Sequence, residues 1–166
     1  MKKEPNNILE IRNLNVEFPI FGGILQREVS AIHAVKNFNL KVKQGQTIAI
    51  VGESGSGKST LGKTIINVLK LTAPDVRING EILLEKDNSQ INLLDLNKKE
   101  MTQYRSNIQM IFQDPFSSLN PRMIVKDIIQ EPMDIQNELS LSEKENKVLH
   151  LLNKVGLSKE QALRYP

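Results

Sequence analysis

Thr47-Ile48-Ala49-Ile50-Val51-Gly52-Glu53-Ser54-Gly55-Ser56-Gly57-Lys58-Ser59-Thr60 is the stretch on which the reading of this chain turns. Residues 47–51 are β-rich and apolar, as expected of a strand buried on both faces. Residues 52–59 fit G-x-x-x-x-G-K-[ST] without a mismatch. Each position has a physical reason. Glycines let the backbone wrap tightly and turn successive N–H groups inward as an anion nest. The loop then feeds a helix whose first N–H groups and dipole also favour phosphate. Lys58 is placed to reach β- and γ-phosphates, Ser59 offers a hydroxyl to Mg²⁺, and Thr60 supports the loop. At a glycine usage of about 7%, a chance match in a chain of this length is on the order of one in a hundred. The pattern therefore implies a nucleoside triphosphate site built from Gly52, Glu53, Ser54, Gly55, Ser56, Gly57, Lys58, Ser59 and Thr60.

Outward from the loop, Leu61, Ile65, Ile66, Val68 and Leu69 are spaced for one face of a helix over about 58–71, which Pro74 keeps from extending further. Upstream, Leu9 and Ile11, then Leu14, Val16 and Phe18, form two alternating runs that meet out of phase near Asn13. That pattern predicts a strand with a bulge. Phe38, Leu40 and Val42 alternate again before a turn at Gln44-Gly45. Downstream, Asn79-Gly80 predicts a hairpin turn leading into a strand ending near Leu84. Residues 108–112 read as another strand. Asn97 with Glu100, and Ser142 with Glu145, read as capping boxes, the first opening a helix to about Arg105. In the helix opened by the second, Val148, Leu149, Leu151, Leu152 and Val155 share a face, and Gly156 suits its stop.

Composition narrows the function classes. With 166 residues, 39% hydrophobic and 25% charged, the chain is that of an ordinary globular domain. Aromatics make up only 4%, with no Trp, which disfavours base-stacking platforms for single-stranded nucleic acid. The net charge of +3 is spread out, and pairs such as Lys2-Lys3 and Lys98-Lys99 read as solvated surface. There is no cysteine, which excludes disulfides and thiolate metal sites. No apolar segment follows Met1-Lys2-Lys3-Glu4-Pro5, and no run approaches about 18 apolar residues, so neither a signal peptide nor a membrane span is expected.

The loop followed by Leu61-Gly62-Lys63 resembles the nucleotide-binding subunits of ABC transporters. The segment from Ile108 through Gln113-Asp114-Pro115, then Ser118-Leu119-Asn120-Pro121-Arg122-Met123, resembles the Q-loop region of the oligopeptide and dipeptide importer ATPases. Lys126-Asp127-Ile128-Ile129, Glu131-Pro132, Val155-Gly156-Leu157 and Arg164-Tyr165-Pro166 continue the likeness, which runs from about Leu9 to the last residue.

That resemblance implies an α/β fold, a P-loop NTPase of ABC ATPase type. A β-rich front and the phosphate loop would occupy about 8–72, a strand and Q-loop region about 76–123, and the start of a helical subdomain about 124–166. It implies ATP with Mg²⁺ as the bound species, Lys58 and Gln113 as catalytic groups, and Ser59 and Gln113 around the metal. The partners it implies are a second ABC ATPase subunit, integral-membrane permease subunits docking near residues 114–123, and indirectly a solute-binding protein, with no nucleic acid. The location it implies is the cytoplasmic face of the cell membrane, held peripherally through the permease. Asp114 reads as a turn residue, and Glu53, set against phosphate charge, is no candidate base. His150 reads as packing or surface. An aromatic to stack on the base is missing from residues 29–33, leaving His33, Phe18 and Phe21 as substitutes.

In the resembled family a signature motif, a second acidic strand with its catalytic Glu, and a switch His follow beyond the position of Pro166. The chain therefore reads as the N-terminal portion of such a subunit, with little or no turnover of its own. The alternative is a non-catalytic nucleotide-binding or interaction fragment. A different P-loop enzyme such as a kinase would need an Arg-bearing lid, and no segment signals one.

Overall fold

A computed structural model describes residues 7–24, 26–86, 89–114, 118–136 and 139–166. The chain divides into two compact units, 1–110 and 111–166. Lys2-Lys3 and residues 115–117 of the Q-loop run lie outside the described residues.

The first unit is built on four antiparallel strands, β1 (Asn7–Gly22), β2 (Arg27–Lys43), β3 (Arg77–Lys86) and β4 (Ser89–Asn92), in the order β2-β1-β3-β4. The expected bulge is present. In β1 the buried apolar positions are Ile11, Leu14 and Val16, a spacing that strict alternation forbids and that one extra residue restores. The ladder with β2 slips between Ile11 and Leu14, and Asn13 adopts φ 49°. Val35, Leu61, Leu69, Val76, Ile82, Leu84, Leu93 and Met101 complete the core on this sheet.

Three expectations are corrected here. Asn79-Gly80 makes no hairpin turn, because β3 runs straight through it. Gly80 is needed for a different reason: at φ 111°, a Cβ would lie 2.6 and 2.7 Å from the Asn13 and Arg12 carbonyl oxygens of the β1 bulge. Residues 47–51 and 108–112 carry no strand. Ile50 is 43% and Val51 88% exposed, and Ile111 96%. A strand buried on both faces needs neighbours on both edges and cover on both faces, and no described strand pairs with either run.

The helix expected over 58–71 is two helices, α1 (Lys58–Ile65) and α2 (Leu69–Thr72). The break is a Schellman stop centred on Asn67 at φ 52°. Asn67 N–H donates to the Thr64 carbonyl at 2.9 Å and Val68 N–H to the Lys63 carbonyl at 3.0 Å. Tertiary bonds hold it: Asn67 Nδ2 donates to the Leu93 carbonyl at 2.6 Å, and the Arg105 guanidinium to the Ile66 carbonyl at 2.6 Å. The Asn97–Glu100 capping box forms and opens α3 (Lys98–Thr102), with turns continuing to Asn107.

The second unit pairs α4 (Val125–Gln136) with α5 (Leu141–Lys154), followed by a 3₁₀ turn at Gln161–Leu163. Its core is Met133, Val148, Leu152 and Ala162, with Val125, Ile129 and Leu139 against it. The capping box of α5 sits two residues earlier than expected, on Ser140 and Glu143. Both Ser-x-x-Glu registers exist in the sequence, and Leu139, packed on the core, brings the chain in at the earlier one. On the expected apolar face Val148 and Leu152 are buried, while Leu151 and Val155 are exposed. Gly156, at φ 75°, closes α5 as expected, with Leu157 N–H donating to the Leu152 carbonyl at 2.9 Å. Lys144, buried on α5, donates to Asp134 on α4 at 2.8 Å, and that contact holds the Asp134 carboxyl below its usual range. His150 is exposed.

Candidate phosphate-binding site

The loop from Gly52 to Gly57 links residues 47–51 to α1, and its conformation is set by glycine. Gly55 and Gly57 adopt φ 82° and 88°, the left-handed alternation from which backbone anion nests are made. Gly57 is also the N-cap of α1, with no side-chain cap bond and no acidic residue in the first turn. The helix's first N–H groups and dipole are thus left without a side-chain acceptor or counter-charge from the helix itself.

Lys58 curls back over the loop. Its ammonium donates to the Gly52 carbonyl at 2.8 Å, the Glu53 carbonyl at 2.6 Å and Ser56 Oγ at 3.2 Å. These bonds tie the loop's entry to its exit, and the Ser56 N–H donation to the Glu53 carbonyl at 3.2 Å tightens the bend. The cation is therefore held among neutral acceptors that an anionic phosphate would outcompete. Ser59 is exposed on the first turn of α1, and Thr60 is half-buried behind it.

Two supports were not singled out from sequence. Thr64, fully buried, donates its hydroxyl to the Thr60 carbonyl at 2.7 Å and anchors the first turn of α1. Beneath the loop, the Ala34 carbonyl of β2 comes so near Gly57 that a Cβ there would lie 2.1 Å from its oxygen. A Thr one turn on and a backbone carbonyl of a distant strand leave no motif in the sequence.

The remaining candidates divide by unit. Gln113 belongs to the second unit and is exposed. The Asp114 carbonyl accepts from Ser118 Oγ at 2.8 Å. On the first unit, His33 Nδ1 stands 3.2 Å from Glu17 Oε1, Phe18 packs against the core, and Phe21 is half-exposed near the β1–β2 connection. Among the described residues no cluster of three or more His, Cys, Asp or Glu side chains could hold a metal ion. The donor set fits Mg²⁺ only in the manner of phosphate sites, where one protein hydroxyl joins oxygens supplied by the substrate.

The family model described as ABC transporter matches residues 35–165, from the strand beneath the loop to the end of the second unit. The chain belongs to the ABC transporter family. It is 43% identical over 159 residues to the oligopeptide transport ATP-binding protein AppF of Bacillus subtilis, covering 96% of this chain and 46% of AppF. It is 36% identical over 159 residues to the glutathione import ATP-binding protein GsiA of Pectobacterium atrosepticum, covering 96% of this chain and 24% of GsiA. The ABC chain thus spans less than half the length of these curated relatives. Among solved structures it is similar to the dimeric ATP-binding cassette MJ0796 in a post-hydrolysis state bound to ADP and Pi. There the TM-score is 0.67 at 25% identity, over 95% of this chain and 61% of that one. The fold is that of a partial ABC ATPase cassette. Among the described residues no helix is long and apolar enough to cross a membrane.

Proposed function

We propose that this chain is the phosphate-binding portion of an ATP-driven importer subunit, in which residues 52–60 hold the triphosphate of ATP. The observation that carries this is the Lys58 ammonium, held by the loop's own carbonyls at the head of a helix that has no side-chain cap and follows two left-handed glycines. On ATP binding, Lys58 exchanges those acceptors for β- and γ-phosphate oxygens, and the loop N–H groups and α1 dipole share the remaining charge. Ser59 would offer its hydroxyl to a bound Mg²⁺. When bound, the ion neutralises charge that develops on the phosphates. On the family resemblance, Gln113 would orient water, and its loop would couple to the permease through residues 114–123. Residues from about 124 to 166 form the start of the helical subdomain.

The ATPase partner is a second cassette, identical or homologous, as the dimeric structural relative supports. The imported solute is a peptide or a peptide-like compound such as glutathione, on the strength of what AppF and GsiA are named for. Membrane association runs through permease subunits that a solute-binding protein loads.

This chain by itself binds ATP and turns it over little, because Glu53, the loop's own carboxylate, would sit against phosphate charge and is no base. Phosphate release from Mg-ATP by the purified chain tests this alongside equilibrium binding. Saturable binding without sustained release is expected. Steady turnover that scales with chain concentration would place a catalytic group within these residues and overturn the reading.

A further inference from the structure

Where β1 passes β2, each strand carries a bulge closed by an asparagine of the other. On β1, Arg12 and Asn13 stand opposite Asn39, and on β2, Lys36 and Asn37 stand opposite Asn15. Both bulged asparagines are left-handed, at φ 49° for Asn13 and φ 46° for Asn37. The side chains replace the ladder bonds that the bulges remove. Asn39 Oδ1 accepts from Asn13 N–H at 2.8 Å, and its Nδ2 donates to the Asn37 carbonyl at 3.0 Å. Asn15 Oδ1 accepts from Asn37 N–H at 2.9 Å, and its Nδ2 donates to the Asn13 carbonyl at 2.7 Å. Four asparagines thus form a closed ring of side-chain-to-backbone bonds across the two strands.

The ring lies next to the seat of the phosphate loop. Val35, paired with Val16, is the last register position of β2 before the bulge. It is buried, and Ala34 beside it presents the carbonyl that abuts Gly57. A bulge re-aims the strand that bears it, so the backbone angle at Asn37 sets where that carbonyl lies. Gly57 in turn is the N-cap of α1 and the residue before Lys58. We infer that the asparagine ring, through Asn15 and Asn37, is a positioning device for the phosphate loop: it fixes the β2 carbonyl on which Gly57 rests. This rests on the phosphate-binding reading above and deepens it by naming residues outside the motif that set the loop's affinity.

The experiment compares Asn37→Gly, Asn37→Ala and Asn15→Leu with the parent chain. Mg-ATP dissociation constants are measured by titration well below the melting temperature, with thermal midpoints recorded alongside. Glycine keeps the left-handed backbone at position 37, while alanine strains it. Asn15→Leu keeps the volume and removes two ring bonds. The expected result is an affinity within about twofold of the parent for Asn37→Gly and about tenfold weaker or worse for Asn37→Ala and Asn15→Leu. Variants that melt lower yet bind Mg-ATP with the parent's constant would show the ring to be structural only and overturn the inference. Should Asn15→Leu fail to fold, the Gly and Ala pair at position 37 decides. A parent chain that binds no Mg-ATP would instead defeat the phosphate-binding reading itself.

Discussion

Replacing Gly57 by alanine tests the loop where backbone conformation and packing act together. The residue sits at φ 88°, and its Cβ would fall 2.1 Å from the Ala34 carbonyl oxygen, well inside the 3.0 Å below which Cβ contacts are not found. The left-handed conformation alone costs an alanine about 1–2 kcal/mol. Moving the loop off a carbonyl fixed in a β-sheet adds at least as much, so the phosphate-ready loop is disfavoured by about 2–4 kcal/mol, a loss of affinity of roughly thirty- to a thousand-fold. Gly156 is the matched control, since it is also left-handed, at φ 75°, with nothing within 4 Å of its Cβ position. Gly156→Ala should lower stability by about 1 kcal/mol and leave Mg-ATP affinity unchanged. Calorimetric titration of both variants, with thermal melts, separates the effects. Wild-type affinity in Gly57→Ala would refute the claim that this left-handed glycine, seated on Ala34, shapes the site.

Gly80→Ala should destabilise the first unit by more than about 2 kcal/mol, read as a fall in denaturation midpoint, because a Cβ at φ 111° meets two bulge carbonyls. Glu10, buried beneath Arg12 and Lys41, has its carboxyl held down at about 2 by the Arg12 guanidinium first and Lys41 second, against an ordinary 4.5. A depressed carboxylate stabilises the fold above its unfolded-state value and loses that contribution as pH falls toward its folded value. Glu10→Gln should therefore flatten the fall in melting temperature between about pH 4.5 and 2. Ser140→Ala removes the cap of α5 and should cost about 1 kcal/mol of helix stability, with circular dichroism during thermal melting as the readout.

What was legible in the sequence was local chemistry. The proposed phosphate loop is a pattern of glycines and a lysine at fixed spacing, so residues 52–60 could be named as candidates with no knowledge of the fold. The β1 bulge was legible because Ile11 and Leu14 break the two-residue period. Asn79-Gly80 misled because the same left-handed freedom that makes a hairpin also lets a strand pass a neighbour's bulge. The end of α1 at Ile65 follows from Asn67, whose side chain and neighbours are held by Leu93 and Arg105 from far along the chain. Periodicity carries no trace of such bonds. Residues 47–51 have a buried strand's composition, but composition cannot supply the neighbouring strands that would bury it.

The most direct test of the central claim is titration of Mg-ATP into the parent chain and into Lys58→Ala, both checked for native circular dichroism. Lys58 spends its bonds on the loop and not on the core, so the variant should fold. Saturable binding by the parent that the variant loses is the result the account predicts. Equal binding by the two chains, or none by the parent, would contradict it.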